Sequence, residues 1–251
     1  MEVHVHGGAK PTPFLQARDV FSTEYDLERP VRVFVREDPD VRTWTSHPSG
    51  YHHLNISQTV ATSSMARELA IHEFAHMYRH EEGHISHHLA TEEAIYLAAA
   101  GIDVPRERIM QCYQIANHMK DVYADDLTID VAPADKLVAF LESSLAGLLV
   151  DGEPAAVPPG VTRVSPAPDP SIAAVNAAFA LGLVDRHTLV GPDHHVFDLA
   201  HIVANDAPHV PFGRFRGLFA DLRDDPDESS YRRLLVDALR TYLGGTEQAA
   251  D

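Results

Sequence analysis

The chain has 251 residues, 45% of them hydrophobic, which is enough for one large packed domain, or a core with a smaller appendage, and excludes global disorder. Its 37 acidic residues outweigh 20 basic ones, and the formal charge of −17 excludes a basic surface that tracks phosphates, and with it nucleic-acid binding. A single cysteine, Cys112, excludes both a disulfide framework and a thiolate zinc site.

Residues 1 to 30 carry few signals, and PTP near residue 12 reads as irregular chain. VRVFVRE (31–37) alternates apolar residues with arginine, the period of a half-buried strand. EDPD (37–40) and HPSG (47–50) are turn-like, and YHHLNIS (51–57) reads as a second short strand. Ser63 and Ser64 offer an N-cap to a helix over MARELAIHEFAHMYRH, which Gly83 can stop. A second helix, LATEEAIYLAAAG (89–101), stops at Gly101, with His87 and His88 at its start. Pro105 suits the first turn of a third helix, PRERIMQCYQIANHMKDVYADD. ADKLVAFLESSLAGLLV (134–150) is a fourth. Residues 151–170 hold six prolines and form the linker. Four further helices follow it, and GGTEQAAD is a frayed tail. The expected organisation is a core over 1–150, a linker over 151–170 and a helical subdomain over 171–251.

The chemistry concentrates in HEFAHMYRHEEGH (72–84). On a helix, His72 and His76 lie on one face about 40° apart around the axis, so two imidazoles can grip one zinc ion from the same side. Glu73 sits about a quarter turn away, placed to take a proton from a zinc-activated water and return it to a departing amine. HExxH also occurs by chance on polar helices. Here Leu69, Ala70, Phe74, Ala75 and Met77 surround it, so the helix is expected to be largely buried.

HEFAH behind a strand-rich segment resembles the zincin metallopeptidases. The resemblance covers about residues 30 to 130 and implies an α+β fold: a small twisted sheet packed on the HExxH helix, followed here by a largely helical C-terminal half. It also implies an edge strand that pairs with extended substrate, for which YHHLNIS is the candidate by position.

Zinc needs a third protein ligand and an open position for water. His80 continues the ladder but lies about 6 Å further along the axis from His76. His84 follows Gly83, where the chain can turn back. The metzincin pattern would need glycine at 79 and histidine at 82, where this chain has Arg79 and Glu82. The gluzincin type resembles this chain better. There an ExxxD motif on a later helix supplies a ligand, and its Asp orients a metal-bound histidine. DVYAD (121–125) is similar, with Asp in place of Glu. That likeness implies Asp121 as third ligand and Asp125 as its orienting partner. A shifted registration puts Asn117 at the Glu position, makes Asp121 the orienting residue and leaves His118 or a distant residue to coordinate, and Glu92 and Glu93 are further alternatives. The resemblance also implies a later His, Tyr or Arg that stabilises the oxyanion, for which His194, His195 and Tyr123 are candidates. The remaining histidines, His52 and His53 among them, read as surface residues.

The expected function is a zinc-dependent hydrolase acting on peptide or protein substrates. A non-catalytic zinc-stapled module for partner binding is the alternative, and a hydrolase of non-peptide amides a third. No apolar run nears the roughly 18 residues of a bilayer span, and MEVHVHGGAK lacks the features of a signal peptide, so a cytoplasmic protein is expected. With 3 lysines to 17 arginines and 22 aspartates to 15 glutamates, the surface suits a cytoplasm held at high salt, where screening weakens self-repulsion. The stretches EFAHMYRHEEGHISHH and NHMKDVYADD also resemble an uncharacterised archaeal group of zincin-like proteins.

Overall fold

The computed structural model describes residues 1–152 and 169–247, except 40 and 42. Its class is α+β. In chain order the elements are β1 (Val3–His6), α1 (Thr12–Phe21), β2 (Val31–Arg36), β3 (Trp44–Ser46), β4 (His52–Ser57), α2 (Gln58–Ala61), α3 (Ala66–Glu81), α4 (Ile85–His88), α5 (Thr91–Ala99), α6 (Arg106–Val131), α7 (Ala134–Gly152), α8 (Pro170–His187), α9 (Val196–Asn205), α10 (Phe212–Ala220) and α11 (Glu228–Glu247). They form two compact units. One comprises Met1–Leu89 and Lys120–Pro133, the other Ala90–Met119 and Ala134–Asp251. The units do not follow the expected split into 1–150 and 171–251, because α5 packs on α11 and α7 packs on α9. Residues 153–168 of the expected linker lie outside the described residues.

The first unit carries the sheet, in the order β1-β2-β4-β3. β1 and β4 run parallel to β2, and β3 runs antiparallel to β4. The alternation read in VRVFVR is realised: Val31, Val33 and Val35 are buried, Arg32 and Arg36 are exposed, and Phe34 is half-buried. In register with them, Leu54 pairs with Val33 and Ile56 with Val35, and both are fully buried. β4 is therefore an interior strand, which corrects its expected place at the sheet edge. Its backbone groups are committed on both sides, and among the described strands the edges are β1 and β3.

The N-terminal segment also differs from expectation. PTP begins α1, with Pro11 at the cap position and a proline in the first turn. A missing N–H costs nothing there, because the first turn has no intrahelical acceptor for it. Phe14, Ala17 and Phe21 then bury one face of α1. Gly7 has φ +112°, and a Cβ there would lie 2.5 Å from the Val35 carbonyl oxygen, so only glycine fits where the chain leaves β1.

α3 lies against α1, with Ala70, Ile71, Phe74, Ala75 and Met77 in the same core as the sheet valines. Phe21 and Phe74 meet edge to face at 6.2 Å. Neither Ser63 nor Ser64 caps the helix. Met65 holds the cap position, and the Ser63 hydroxyl is turned back to the Val60 carbonyl, 2.8 Å away. Gly83, at φ +76°, ends the helix as expected. His87 and His88 close the short α4 and do not open α5.

At the last turn of α3, Glu81 ties the helix to the sheet. Its carboxylate accepts the Glu28 N–H (2.7 Å) and the Arg29 N–H (2.9 Å) and contacts His52 Nε2 at 2.8 Å. Burial raises its pKa, but these donors outweigh burial and hold the carboxyl below its ordinary value. Glu81→Gln is expected to cost about 2 kcal/mol at neutral pH, because charged hydrogen bonds are weakened while the shape is kept. The sign follows from a depressed folded-state pKa. The stabilisation is complete above the unfolded value, about 4.3, and is lost as pH falls through the folded one. Denaturant titrations of both chains should therefore converge in acid. Equal stability at pH 7 would rule out this tie.

The second unit is helical. α8 packs against α9 and α10. Ala174, Ala177, Ala178 and Gly182 are small residues on its buried surface, and a Cβ on Gly182 would lie 2.6 Å from the Phe219 Cβ. Asp169 caps α8 by accepting the Ser171 N–H at 2.7 Å. No helix among the described residues is long and apolar enough to cross a membrane.

Candidate metal centre

The HExxH helix turns its apolar side to the core, so His72 and His76 project from the other side of α3. That side meets the second part of α6, whose Ala124 and Leu127 anchor it in the same core. Asp121 and Asp125 project from α6 at the same i, i+4 spacing as the histidine pair.

The four side chains interlock. His72 Nε2 lies 3.0 Å from His76 Nε2. Asp121 Oδ1 lies 3.2 Å from His76 Nε2 and 3.9 Å from His72 Nε2. Asp125 Oδ1 lies 2.8 Å from His72 Nδ1. Asp125 is only 5% exposed along its side chain, whereas His72, His76 and Asp121 are 22, 15 and 26% exposed, so solvent reaches the three converging groups.

Hydrogen bonding fixes which nitrogens carry protons. An ionised carboxylate only accepts, so His72 donates Nδ1–H to Asp125, and in the neutral ring Nε2 carries the lone pair. For His76 the proton order can be traced from a backbone amide. Ser86 N–H donates to His84 Nδ1 at 3.3 Å, and the Ser86 hydroxyl donates to the same nitrogen at 2.7 Å. The Ser86 oxygen then accepts from His87 Nδ1–H at 2.8 Å. His87 Nε2, left without a proton, accepts from His76 Nδ1–H at 2.7 Å. His76 Nε2 is therefore also a lone pair. Burial and the neighbouring histidines hold the His87 pKa far below its ordinary value, in keeping with a neutral ring.

With both Nε2 atoms unprotonated, two lone pairs and a carboxylate oxygen face one another at 3.0 to 3.9 Å, and they repel unless positive charge lies between them. A cation or a proton there would relieve the repulsion. The same field acts on His72: burial works against its charged form, but Asp125, Asp121 and Glu73 push its pKa up to about 10. Glu73 is buried at 8% exposure, and burial raises its pKa against the lowering influence of His76 and His72. Among the described residues, His72, His76 and Asp121 form one of two groups of three whose donor atoms all lie within 4.8 Å of one another. Two imidazoles and a carboxylate are a donor set that suits zinc.

A family model described as a family of unknown function, DUF5781, matches residues 1–244. The chain belongs to the DUF5781 family. No curated protein and no solved structure matches it.

In this DUF5781 chain the other sequence candidates lie elsewhere. His80 turns away from His76, stacks on His47 with ring centroids 3.8 Å apart and on His88 at 4.7 Å, and so belongs to a separate histidine stack. His84 serves as the cap of α4 and packs on the Tyr123 ring at 4.5 Å. Its ring anchors the chain that ends at His76. His118 belongs to the helical unit, where Nε2 contacts Asn176 Oδ1 at 2.8 Å and the ring stacks on Phe179. Asn117, Glu92 and Glu93 are exposed in that unit, and Glu93 lies 3.6 Å from Arg232. Since Asp125 holds His72 Nδ1, the registration that would place Asn117 and His118 at the histidine pair is not adopted. His194 and His195 lie in the helical unit beside Glu142. His52, read as a surface histidine, is fully buried against Glu81.

His87 is the residue that sequence reading missed as part of this centre. It follows the helix-ending Gly83, which returns the chain alongside α3. A histidine soon after such a reversal, in HISHH, is the signal that was available.

Proposed function

We propose that this chain is a zinc-dependent hydrolase of zincin-like design, most simply a peptidase of a salt-rich cytoplasm. The reading rests on one observation: three donor atoms, His72 Nε2, His76 Nε2 and Asp121 Oδ1, converge within electrostatic reach of a buried carboxyl, that of the neighbouring Glu73. His72, His76 and Asp121 would hold the metal. Zinc bound there would supply a Lewis acid that lowers the pKa of a water and polarises the scissile carbonyl. The protein's own residues do the rest. Asp125 and His87 take the Nδ1 protons, orient both rings and make their Nε2 atoms stronger donors. Asp121 neutralises cationic charge, and the partial exposure of the three groups leaves substrate a way in. Glu73 takes the proton of the attacking water and returns it to the leaving amine. A carboxyl whose pKa is raised by burial is matched to giving the proton back as well as taking it.

The reading predicts that the zinc-loaded chain cleaves unfolded proteins or short peptides in high salt, and that a chelator stops cleavage and zinc restores it. His72→Ala/His76→Ala should lose one bound zinc relative to the unsubstituted chain, together with all turnover. Unchanged zinc content in that variant would refute the centre; zinc loss without any turnover in the parent chain would refute the hydrolase and leave a metal staple between α3 and α6.

A further inference from the structure

The helical unit contains a second convergence of metal-binding groups, outside the HExxH centre. Glu142 projects from α7, and His194 and His195 project from the turn that enters α9, where His195 is the cap residue. Glu142 Oε1 lies 3.2 Å from His194 Nδ1 and 3.2 Å from His195 Nε2. All three donor atoms lie within 4.8 Å of one another. The two rings stack with centroids 4.8 Å apart, so their nitrogens approach the carboxylate together.

The contacts are not hydrogen bonds. Glu142 Oε1 is shielded from solvent and has no hydrogen-bond partner among the described residues, although two imidazole nitrogens lie close by. At His194 the reason is visible: the Val196 N–H points at Nδ1 from 3.4 Å, so Nδ1 is the unprotonated nitrogen and has nothing to donate. A shielded carboxylate oxygen without a hydrogen bond is unfavourable by itself, and a cation held between it and the two imidazole nitrogens would satisfy it.

We propose that Glu142, His194 and His195 form a second divalent-cation site, for a metal of the zinc, nickel or copper class, that joins α7 to the start of α9. Two imidazoles and one carboxylate favour these ions over magnesium or calcium, which demand more oxygen donors. The site lies wholly within the helical unit and stands whether or not the HExxH centre binds metal. Occupancy stabilises the unit by mass action, so the Tm should rise with metal concentration.

The test uses the full chain, freed of metal with a chelator and dialysed against Zn2+, with zinc counted per chain. His72→Ala/His76→Ala is expected to keep a zinc and a zinc-dependent rise in Tm. His194→Ala/His195→Ala is expected to hold one zinc fewer than the parent. Glu142→Gln keeps both imidazoles and should bind that zinc at least about tenfold more weakly. Both histidines are partly exposed, so their replacement leaves the packed core intact. The proposal is overturned if His194→Ala/His195→Ala holds as much zinc as the parent, if His72→Ala/His76→Ala holds none, or if excess Mg2+ displaces the ion. A parent chain that holds a single zinc, retained in His72→Ala/His76→Ala, would support this site and refute the other.

Discussion

Glu73→Gln is expected to retain zinc and lower hydrolysis by about a hundredfold to ten-thousandfold, the usual contribution of a positioned general acid–base. The substitution keeps the size of a side chain that is only 8% exposed, so packing on α3 is preserved. What it removes is the ability to accept and return a proton. His72, His76 and Asp121 are untouched, and so are Asp125 and His87, which hold the two rings. Metal content and turnover should therefore separate: zinc per chain stays constant while cleavage falls. Cleavage at the parent rate would strip Glu73 of its role. The assay belongs in high salt, because 37 acidic residues against 20 basic ones repel one another at low ionic strength and a partly unfolded chain would mimic inactivity.

The second large effect is expected at α6. Asp121→Ala should weaken zinc binding by more than about a hundredfold, exceeding the ten- to hundredfold cost typical of a residue that only orients a ligand. Asp125→Ala should fall in that smaller range. Asp121 Oδ1 faces His76 Nε2 directly at 3.2 Å, whereas Asp125 acts on the far side of the His72 ring, at Nδ1. Competition with a chromophoric chelator would rank the two. Equal losses would mean that the two aspartates contribute alike, and an unaffected Asp121→Ala would move the third contact to another residue. A change confined to the HExxH centre also leaves Glu142, His194 and His195 in place, so any zinc held there is counted separately.

Much of the first unit was legible in the chain because its signals are local. VRVFVR announced β2 through a two-residue period that backbone pleating imposes. Gly83 announced the end of α3 because a left-handed residue suits glycine. The features misread depend on partners distant in sequence. β1 has four residues of mixed burial and becomes a strand only by pairing with β2. β4 looked like an edge from its position, yet β3 pairs on its open side. PTP suggested irregular chain, whereas the burial of Phe14 and Phe21 against α3 makes it the first turn of a helix.

The centre divides in the same way. By itself the sequence determined that His72 and His76 share a face and that Asp121 and Asp125 share another, because 3.6 residues per turn fixes such pairs without reference to anything else. Only the tertiary structure decided which pair meets which. Burial of Ala124 and Leu127 in the same core as Phe74 brings DVYAD to HEFAH and leaves His118 in the other unit, while the reversal after Gly83 carries His87 to His76. Helical periodicity is set by covalent geometry and hydrogen bonding within a few residues. The choice among distant acids and histidines is set by which apolar faces are buried together, and that is a property of the whole chain.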